Sequence, residues 1–474
     1  MTVTVCLAGK LWRQLAPDPA AVAETVTSAL GDLTGALWAE VPAVRIEPAG
    51  QDDADLPVSV HAEGRPLPYP AECLWQAIAY VRSAVPTPLG AEELSAGLDG
   101  MSEAELGEVV ALVCHEAVGQ GDASPGPSLA TGGRPSVELC LGPEQFSSLL
   151  IDDPEGKGFA TLREQILEDL GMPLPDLRLR PDRSLRPGGY VFRVNGVRSV
   201  PRIGLAADQL LIMGTAGEPG NDGADPVPAA YPGTWWQASI VPRASLELLE
   251  QAGISTWKPH EYLQADLDAT IRQQAAAFMT AEVAERMMNG LADVYPAVGQ
   301  AARDLLSPDL LATVLRDLLS DGIPVRNLRR ITELCLRYQH GQADPAVGLV
   351  GRVRAGMADA IARSASGGSE TIAVLLLDDQ TERAIAALDP VHPAETGWPL
   401  GARLRAAVRA ELAQLPLARW PPVLLTSDDA RLSAHRLLTA AFPQMAVVSY
   451  SDLPGNADVQ PVTRISATER DHVG

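Results

Sequence analysis

Residues Val314–Ile331 read VLRDLLSDGIPVRNLRRI, and the reading of this stretch governs the rest of the chain. Just upstream, Ser307-Pro308-Asp309 is a strong helix start: a serine cap, proline at the first helical position and an acid in the first turn. Leu310, Leu311, Val314, Leu315, Leu318 and Leu319 then recur at helical spacing, and Gly322 can close the helix in the left-handed conformation. Working outward, Pro242 to Gln339 keeps this helical pattern. Ala281–Tyr295 (AEVAERMMNGLADVY) repeats it, with Met287 and Met288 as core filler. Beyond it the pattern alternates: strand Thr371–Leu377, helix around 404–415, strand 422–426, helix 430–441 and strand 445–450. Strands separated by helical patterns of this length predict a small open α/β sheet.

Upstream, Gly119–Pro135 (GQGDASPGPSLATGGRP) has no apolar periodicity and reads as a linker. Weaker breaks lie at 214–232 and 364–369. The two sides of the first linker resemble each other. Val3-Thr4-Val5-Cys6-Leu7 answers Val137-Glu138-Leu139-Cys140-Leu141, and Pro42–Pro48 (PAVRIEP) answers Pro175–Pro181 (PDLRLRP). Val58–Gly64 (VSVHAEG) answers Val191–Gly196 (VFRVNG), with a drift of about two residues that loops absorb. Two accounts stand open: a true duplication, or two independent strand–helix–strand–hairpin units.

Composition narrows the function. The 474 residues predict three or four compact units. A formal charge of −23 with no basic stripe argues against nucleic acid and against acidic membrane surfaces. No uncharged apolar run reaches about 18 residues, and the N-terminus lacks a secretory pattern, so a cytoplasmic location without an integral membrane segment is expected. Cys6, Cys73, Cys114, Cys140 and Cys335 form no CxxC pair, so neither a disulfide framework nor a metal site is indicated. Lysines occur only at 10, 157 and 258; that, with the Ala, Gly and Pro usage, is the codon bias of a high-GC bacterium.

A search for chemistry returns little. Gly9-Lys10 lacks the rest of a phosphate loop, and there is no GxSxG, HExxH or GxGxxG at a strand end. Cys114-His115 is the sole Cys/His adjacency, and helical neighbours point about 100° apart. Asp152-Asp153, Asp378-Asp379 and Asp428-Asp429 fit helix-start and turn chemistry, with Asp378 or Asp428 as the candidates in an enzyme reading. No catalytic residue and no cofactor is assigned. Trp235-Trp236 is either a wedge between domains or an exposed platform for a peptide.

From Pro135 onward the chain resembles the cytoplasmic domain of the FHIPEP family, the export-gate proteins of flagellar and virulence type III secretion systems. The likeness is carried in order by Pro175–Gly196 (PDLRLRPDRSLRPGGYVFRVNG), Asp225-Pro226 with Tyr231–Trp236, Gly253–Trp257 (GISTW), Val314–Ile331, and the paired stretches Pro421–Leu425 and Met445–Leu453. Val314–Ile331 is the nearest to the family pattern. Two departures are visible: Ala265-Asp266-Leu267 where the family has Thr-His-Leu, and Val325-Arg326-Asn327 where it has Ile-Arg-Asp. The family's membrane half is absent from this sequence.

The resemblance implies an α+β, multidomain body of α/β subdomains plus a helical subdomain, with an extra N-terminal α/β unit. The expected plan is 1–118 for that unit, 119–135 linker, 136–240 first subdomain with a second inserted at about 182–221, 241–345 helical subdomain, and 346–474 C-terminal α/β subdomain. It further implies a non-enzymatic protein-binding scaffold that forms a homo-oligomeric ring and docks chaperone, cargo or export ATPase components. Ile203 and Leu205 are expected on the docking surface with Ala224 at its facing edge, against a core-packing reading that is slightly the stronger for the first two. Arg326, Arg329 and Arg330 are candidates for the subunit contact, Arg326 also for holding its own turn. The competing expectation is a cytosolic regulatory or conflict-system adaptor that reuses the fold.

Overall fold

The computed structural model describes residues 2–15, 17–31, 43–49, 58–63, 65–67, 71–86, 97–98, 100–121, 135–153, 156–175, 177–213, 226–232, 237–338, 345–367, 369–389, 393–412, 423–439, 442 and 445–467. They fall into two compact units, Met1–Thr161 with Pro175–Ala269, and Leu162–Leu174 with Thr270–Gly474.

In the first unit, β1 (Thr2–Leu7) alternates so that Val3, Val5 and Leu7 are buried and the residues between them are not. It is followed by α1 (Gly9–Leu15), α2 (Pro19–Gly31), β2 (Ala43–Pro48), β3 (Val58–Ala62) and β4 (Arg65–Leu67), which pair in the order β2-β1-β3-β4. Two further helices, α3 (Ala71–Val81) and α4 (Glu103–Gly121), complete the region. Val22, Val26 and Leu30 of α2 recur every four residues, as do Leu106, Val110 and Cys114 of α4. Both stripes fall on one helix face and close the same core as the buried residues of β1.

The next sheet repeats the wiring. β5 (Val137–Leu141), α5 (Pro143–Asp152), α6 (Lys157–Leu170), β6 (Leu177–Pro181), β7 (Gly189–Val194) and β8 (Val197–Arg198) give the order β6-β5-β7-β8, with β9 (Arg202–Ile203) added to β7. In both sheets the first strand pairs parallel with the second and antiparallel with the third. Val3 lies opposite Val44 and Ala62; Val137 lies opposite Leu177 and Val194. The flanking bonds agree as well. Ala49 N donates to Leu7 O at 2.9 Å as Asp182 N donates to Leu141 O at 2.8 Å, and Glu63 N donates to Thr2 O at 3.0 Å as Asn195 N donates to Ser136 O at 2.9 Å. Glu63 and Asn195, both non-glycine, take left-handed φ values of 51° and 52° at the same hairpin position.

A third sheet is antiparallel: β10 (Gln209–Met213), β11 (Val227–Ala230), β12 (Gln237–Pro242) and β13 (Thr256–Trp257) in the order β11-β12-β10-β13, with α7 (Leu246–Gln251) before β13 and α8 (Pro259–Gln273) after it. Strand pairing assigns residues 189–203 to the second sheet, and the separate sheet spans 209–257. The two-residue strands here are too short to show a period, so only pairing reveals which sheet they join. The expected linker begins inside α4, and residues 122–134 lie outside the described residues.

The second unit is helical first: α9 (Ala275–Phe278), α10 (Ala281–Val294), α11 (Pro296–Leu305), α12 (Pro308–Ser320), α13 (Leu328–Tyr338), α14 (Pro345–Ala355) and α15 (Ala358–Ala365). The start of α12 is as the sequence predicts: Ser307 Oγ accepts from Leu310 N at 3.2 Å, and Gly322 beyond its end has φ of 69°. There follow β14 (Thr371–Leu377), α16 (Asp379–Ala386), α17 (Pro393–Leu412), β15 (Val423–Thr426), α18 (Asp428–Thr439), β16 (Val447–Ser449) and β17 (Asp458–Ile465), an all-parallel sheet ordered β16-β15-β14-β17. The sequence reading lacks β17. Half of its residues are exposed, and it includes Pro461, which an edge strand tolerates at the register shift opposite Val374 and Leu375.

Candidate functional site

Ile203 and Leu205, expected on a docking surface, are 5% and 1% exposed. Leu205 is fixed from its backbone, where Gln145 Nε2 donates to its carbonyl at 2.8 Å. Ile203 lies on the outer face of the second sheet. β5 and β7 present Cys140 and Val191 on that face, and these form one buried cluster with Leu185, Ile203 and Tyr80 of α3, flanked by Val85 and Leu112. The face is therefore covered by α3 and α4.

Polar contacts hold that cover at two points. Arg186 N donates to Tyr80 Oη at 3.2 Å, while the Arg186 guanidinium donates to Val81 O and, at 2.7 Å, to Glu108 Oε2. The guanidinium also sits 5.5 Å from the Tyr80 ring centre. At the other point Val200 N donates to Glu116 Oε2 at 3.0 Å, and the Val200 side chain is buried with the core of the first sheet.

The opposite face of the second sheet meets α8. Asp266 accepts from Tyr190 Oη at 2.6 Å and from Arg202 Nη1 at 2.6 Å, and Arg202 stacks 5.2 Å from the Phe192 ring centre. Burial, and then the Asp266 charge, push the Tyr190 phenol well above its ordinary range, so it stays a donor. The departure at Ala265-Asp266-Leu267 thus has a partner in Arg202. A signal was present in the sequence: Tyr262, Asp266 and Thr270 share one buried helical stripe, where an acid needs a cation.

In the second unit Arg326, Arg329 and Arg330 are all exposed. Arg326 backbone packs against Gly171, where an added Cβ would lie 2.3 Å from Arg326 Cα. Asn327 Oδ1 accepts from Arg330 N at 3.2 Å and starts α13. Arg329 bonds Glu333 at 2.9 Å and lies 4.7 Å from the ring centre of Tyr295, beside the exposed Val294. Ala224, Trp235 and Trp236 lie outside the described residues.

The paired acids sit at helix starts. Asp153 accepts from Lys157 N and Gly158 N at 2.9 and 3.0 Å, and Asp378 accepts from Thr381 N at 2.7 Å. Burial raises the Asp378 carboxyl, but hydrogen bonds from Ser466 and Thr381 outweigh it and hold the group below the usual carboxylate range. Asp428 accepts from Ser451 Oγ at 2.6 Å at the start of α18. Cys114 is wholly buried and burial drives its thiol far up, which suits a core residue and not a nucleophile. Among the described residues no group of three or more His, Cys, Asp or Glu could hold a metal ion, and no helix is long and apolar enough to cross a membrane.

Comparison with known proteins supplies the context. The FHIPEP family profile matches residues 137–458. The chain is 25% identical over 308 residues to the flagellar biosynthesis protein FlhA of Bacillus subtilis (strain 168), which covers 64% of this chain and 45% of FlhA. It spans about half the length of the curated relatives it matches. Among solved structures, the Chlamydia pneumoniae CdsV and CdsO protein complex aligns with a TM-score of 0.60 at 24% identity, covering 70% of this chain and 97% of the other. The nonameric EscV cytosolic domain from the type III secretion system aligns with a TM-score of 0.53 at 16% identity, covering 71% and 98%. At these identities the structures establish the fold alone; the match of the profile across most of the chain establishes the lineage. The chain belongs to the FHIPEP family.

Proposed function

We propose that this chain is a protein-docking scaffold of the export-gate type, acting by assembly and partner binding and not by catalysis. The observation that carries the reading is the family match over residues 137–458, which takes in the second and third sheets, the helices and most of the C-terminal sheet. Cytoplasmic placement beside a secretion complex follows from the same kinship. Docking of chaperone, cargo or ATPase components is the activity we assign to it; one solved neighbour is a complex of CdsV with CdsO.

Ring assembly is part of the proposal, and another neighbour is nonameric. Subunits of charge −23 need a contact that is locally not acidic. Arg326, Arg329 and Arg330 supply one. Helix α13 has no acid in its first turn and carries two arginines there, where the helix dipole favours acids. Within the chain Arg329 pairs with Glu333 and stacks on Tyr295, and Arg330 reaches Gly356 O at 3.4 Å; their exposed faces are what we assign to the intermolecular contact. Val294, 67% exposed, and Tyr295 adjoin the patch. Size-exclusion chromatography with light scattering tests the reading: assembly gives a mass several times 50.1 kDa, and Arg329→Glu with Arg330→Glu returns it to one subunit. A monomer at every concentration overturns the ring.

A further inference from the structure

The outer faces of the two matching sheets differ in one respect. At equivalent register positions the first sheet has Cys6 opposite Ser59 and Thr4 opposite His61, a largely polar face. The second carries a polar pair too, Glu138 opposite Arg193, but where the first has Cys6 opposite Ser59 it has Cys140 opposite Val191, and these join Leu185 and Ile203 in an apolar patch beneath α3 and α4. The sheet that bears the apolar face lies within the family match, whereas the unit that covers it lies before residue 137, outside that match. Among the described residues the cover is held by the apolar cluster, the Val200 insertion and a clamp at Arg186–Glu108 whose side chains are about a third exposed.

We infer that residues 1–118 form a second copy of the neighbouring sheet unit that acts as a releasable cover, an autoinhibitory contact in which α3 and α4 occupy a face otherwise suited to an amphipathic helix of a protein partner. The occupant in the closed state is this chain's own α3–α4 pair. Its chemistry defines what would replace it: an apolar stripe bearing one aromatic hydroxyl for Arg186 N and one acid for the Arg186 guanidinium. Release uncovers Cys140, Val191 and Ile203 together, an apolar patch of the kind that marks interaction sites. This rests on the protein-docking reading for its purpose, but the opening itself can be measured with no partner present.

Cys140 is the probe. In the full chain, N-ethylmaleimide labelling followed by peptide mass spectrometry reads its accessibility. Cys6, at the equivalent position on the other sheet and partly exposed, is the internal reference, and Cys114, in the core of the first sheet and in the same compact unit as Cys140, reports unfolding of that unit. Arg186→Glu sets like charges against each other at Glu108 and should raise the Cys140 rate about tenfold, the size of one lost charged hydrogen bond. Adding Glu108→Arg should restore most of the protection. Tyr80→Phe removes only the hydroxyl and should raise the rate about threefold; it decides the matter if the charge reversal fails to fold. Cys140 labelling unchanged in these variants, or rising in step with Cys114, overturns the cover. Neither result touches the scaffold reading.

Discussion

Arg354 is 1% exposed, yet its guanidinium meets Asp452 through Nε at 3.0 Å and Nη2 at 2.7 Å and also bonds Asp321. Asp321 in turn accepts from Arg431 at 2.8 Å and lies 3.2 Å from His435 Nε2. Removing Arg354 leaves the buried Asp452 without its ion-pair partner and takes one of the two arginines from Asp321. Arg354→Met should therefore destabilise the second unit by about 3–5 kcal/mol, seen as faster hydrogen exchange in β14; unchanged exchange would show the network to be dispensable. His435 adds a pH dependence. Burial, reinforced by Arg431 and Arg354 against the pull of Asp321, holds its imidazole below the ordinary value. The unfolded chain takes up that proton first, so the stability is fully present above about pH 6.5 and declines as pH falls toward the folded value, by at most about 1.4 kcal/mol per pH unit. The melting temperature should drop between about pH 7 and pH 5.5, and His435→Gln should flatten that drop. Asp452, which burial raises but the bond and charge of Arg354 lower more strongly, contributes its own loss at lower pH, starting near the ordinary carboxylate value and continuing down through the folded one.

Two glycines in adjacent helices give opposite forecasts. On Gly299 of α11 an added Cβ would stand 2.3 Å from Ala292 Cα and Cβ, because α10 and α11 approach there at backbone contact. Gly299→Ala should cost about 1–3 kcal/mol. At Gly290 of α10 nothing lies within 4 Å, so Gly290→Ala should stabilise by up to about 1 kcal/mol through helix propensity. Thermal melts of the two variants must shift in opposite directions, or the close approach is not what fixes this helix pair. The helical elements were the most legible in the sequence. Ser307 and Gly322 mark the bounds of α12 because cap chemistry is local. Strand β17 and the two-residue strands β8, β9 and β13 were not legible, since each exists only through the neighbour it bonds.

For the molecule as a whole, net charge and local contact make different demands on assembly. Repulsion between subunits of charge −23 acts over distance and is screened once the Debye length falls to about 10 Å near 0.1 M salt. A contact built on Arg326, Arg329 and Arg330 is screened only at closer range. The light-scattering mass should therefore rise from about 0.02 M to 0.15 M salt and fall again toward 1 M. A mass indifferent to salt over that range would remove the arginines from the contact.

Sequence alone determined the α+β class, the helix starts, the alternating C-terminal sheet and the likeness to the FHIPEP family, because each is written in local periodicity or in ordered motifs. Arg326, Arg329 and Arg330 were readable as charge next to a turn, a local property, while their part in a subunit contact is a proposal. Tertiary structure decided that Ile203 and Leu205 are buried, that Asp266 pairs with Arg202, and that the first two sheets agree in register down to the bonds at Ala49 and Asp182. A chain pattern shows that a residue is apolar or charged. Which surface faces it depends on residues 60 to 120 positions away, and only packing settles that.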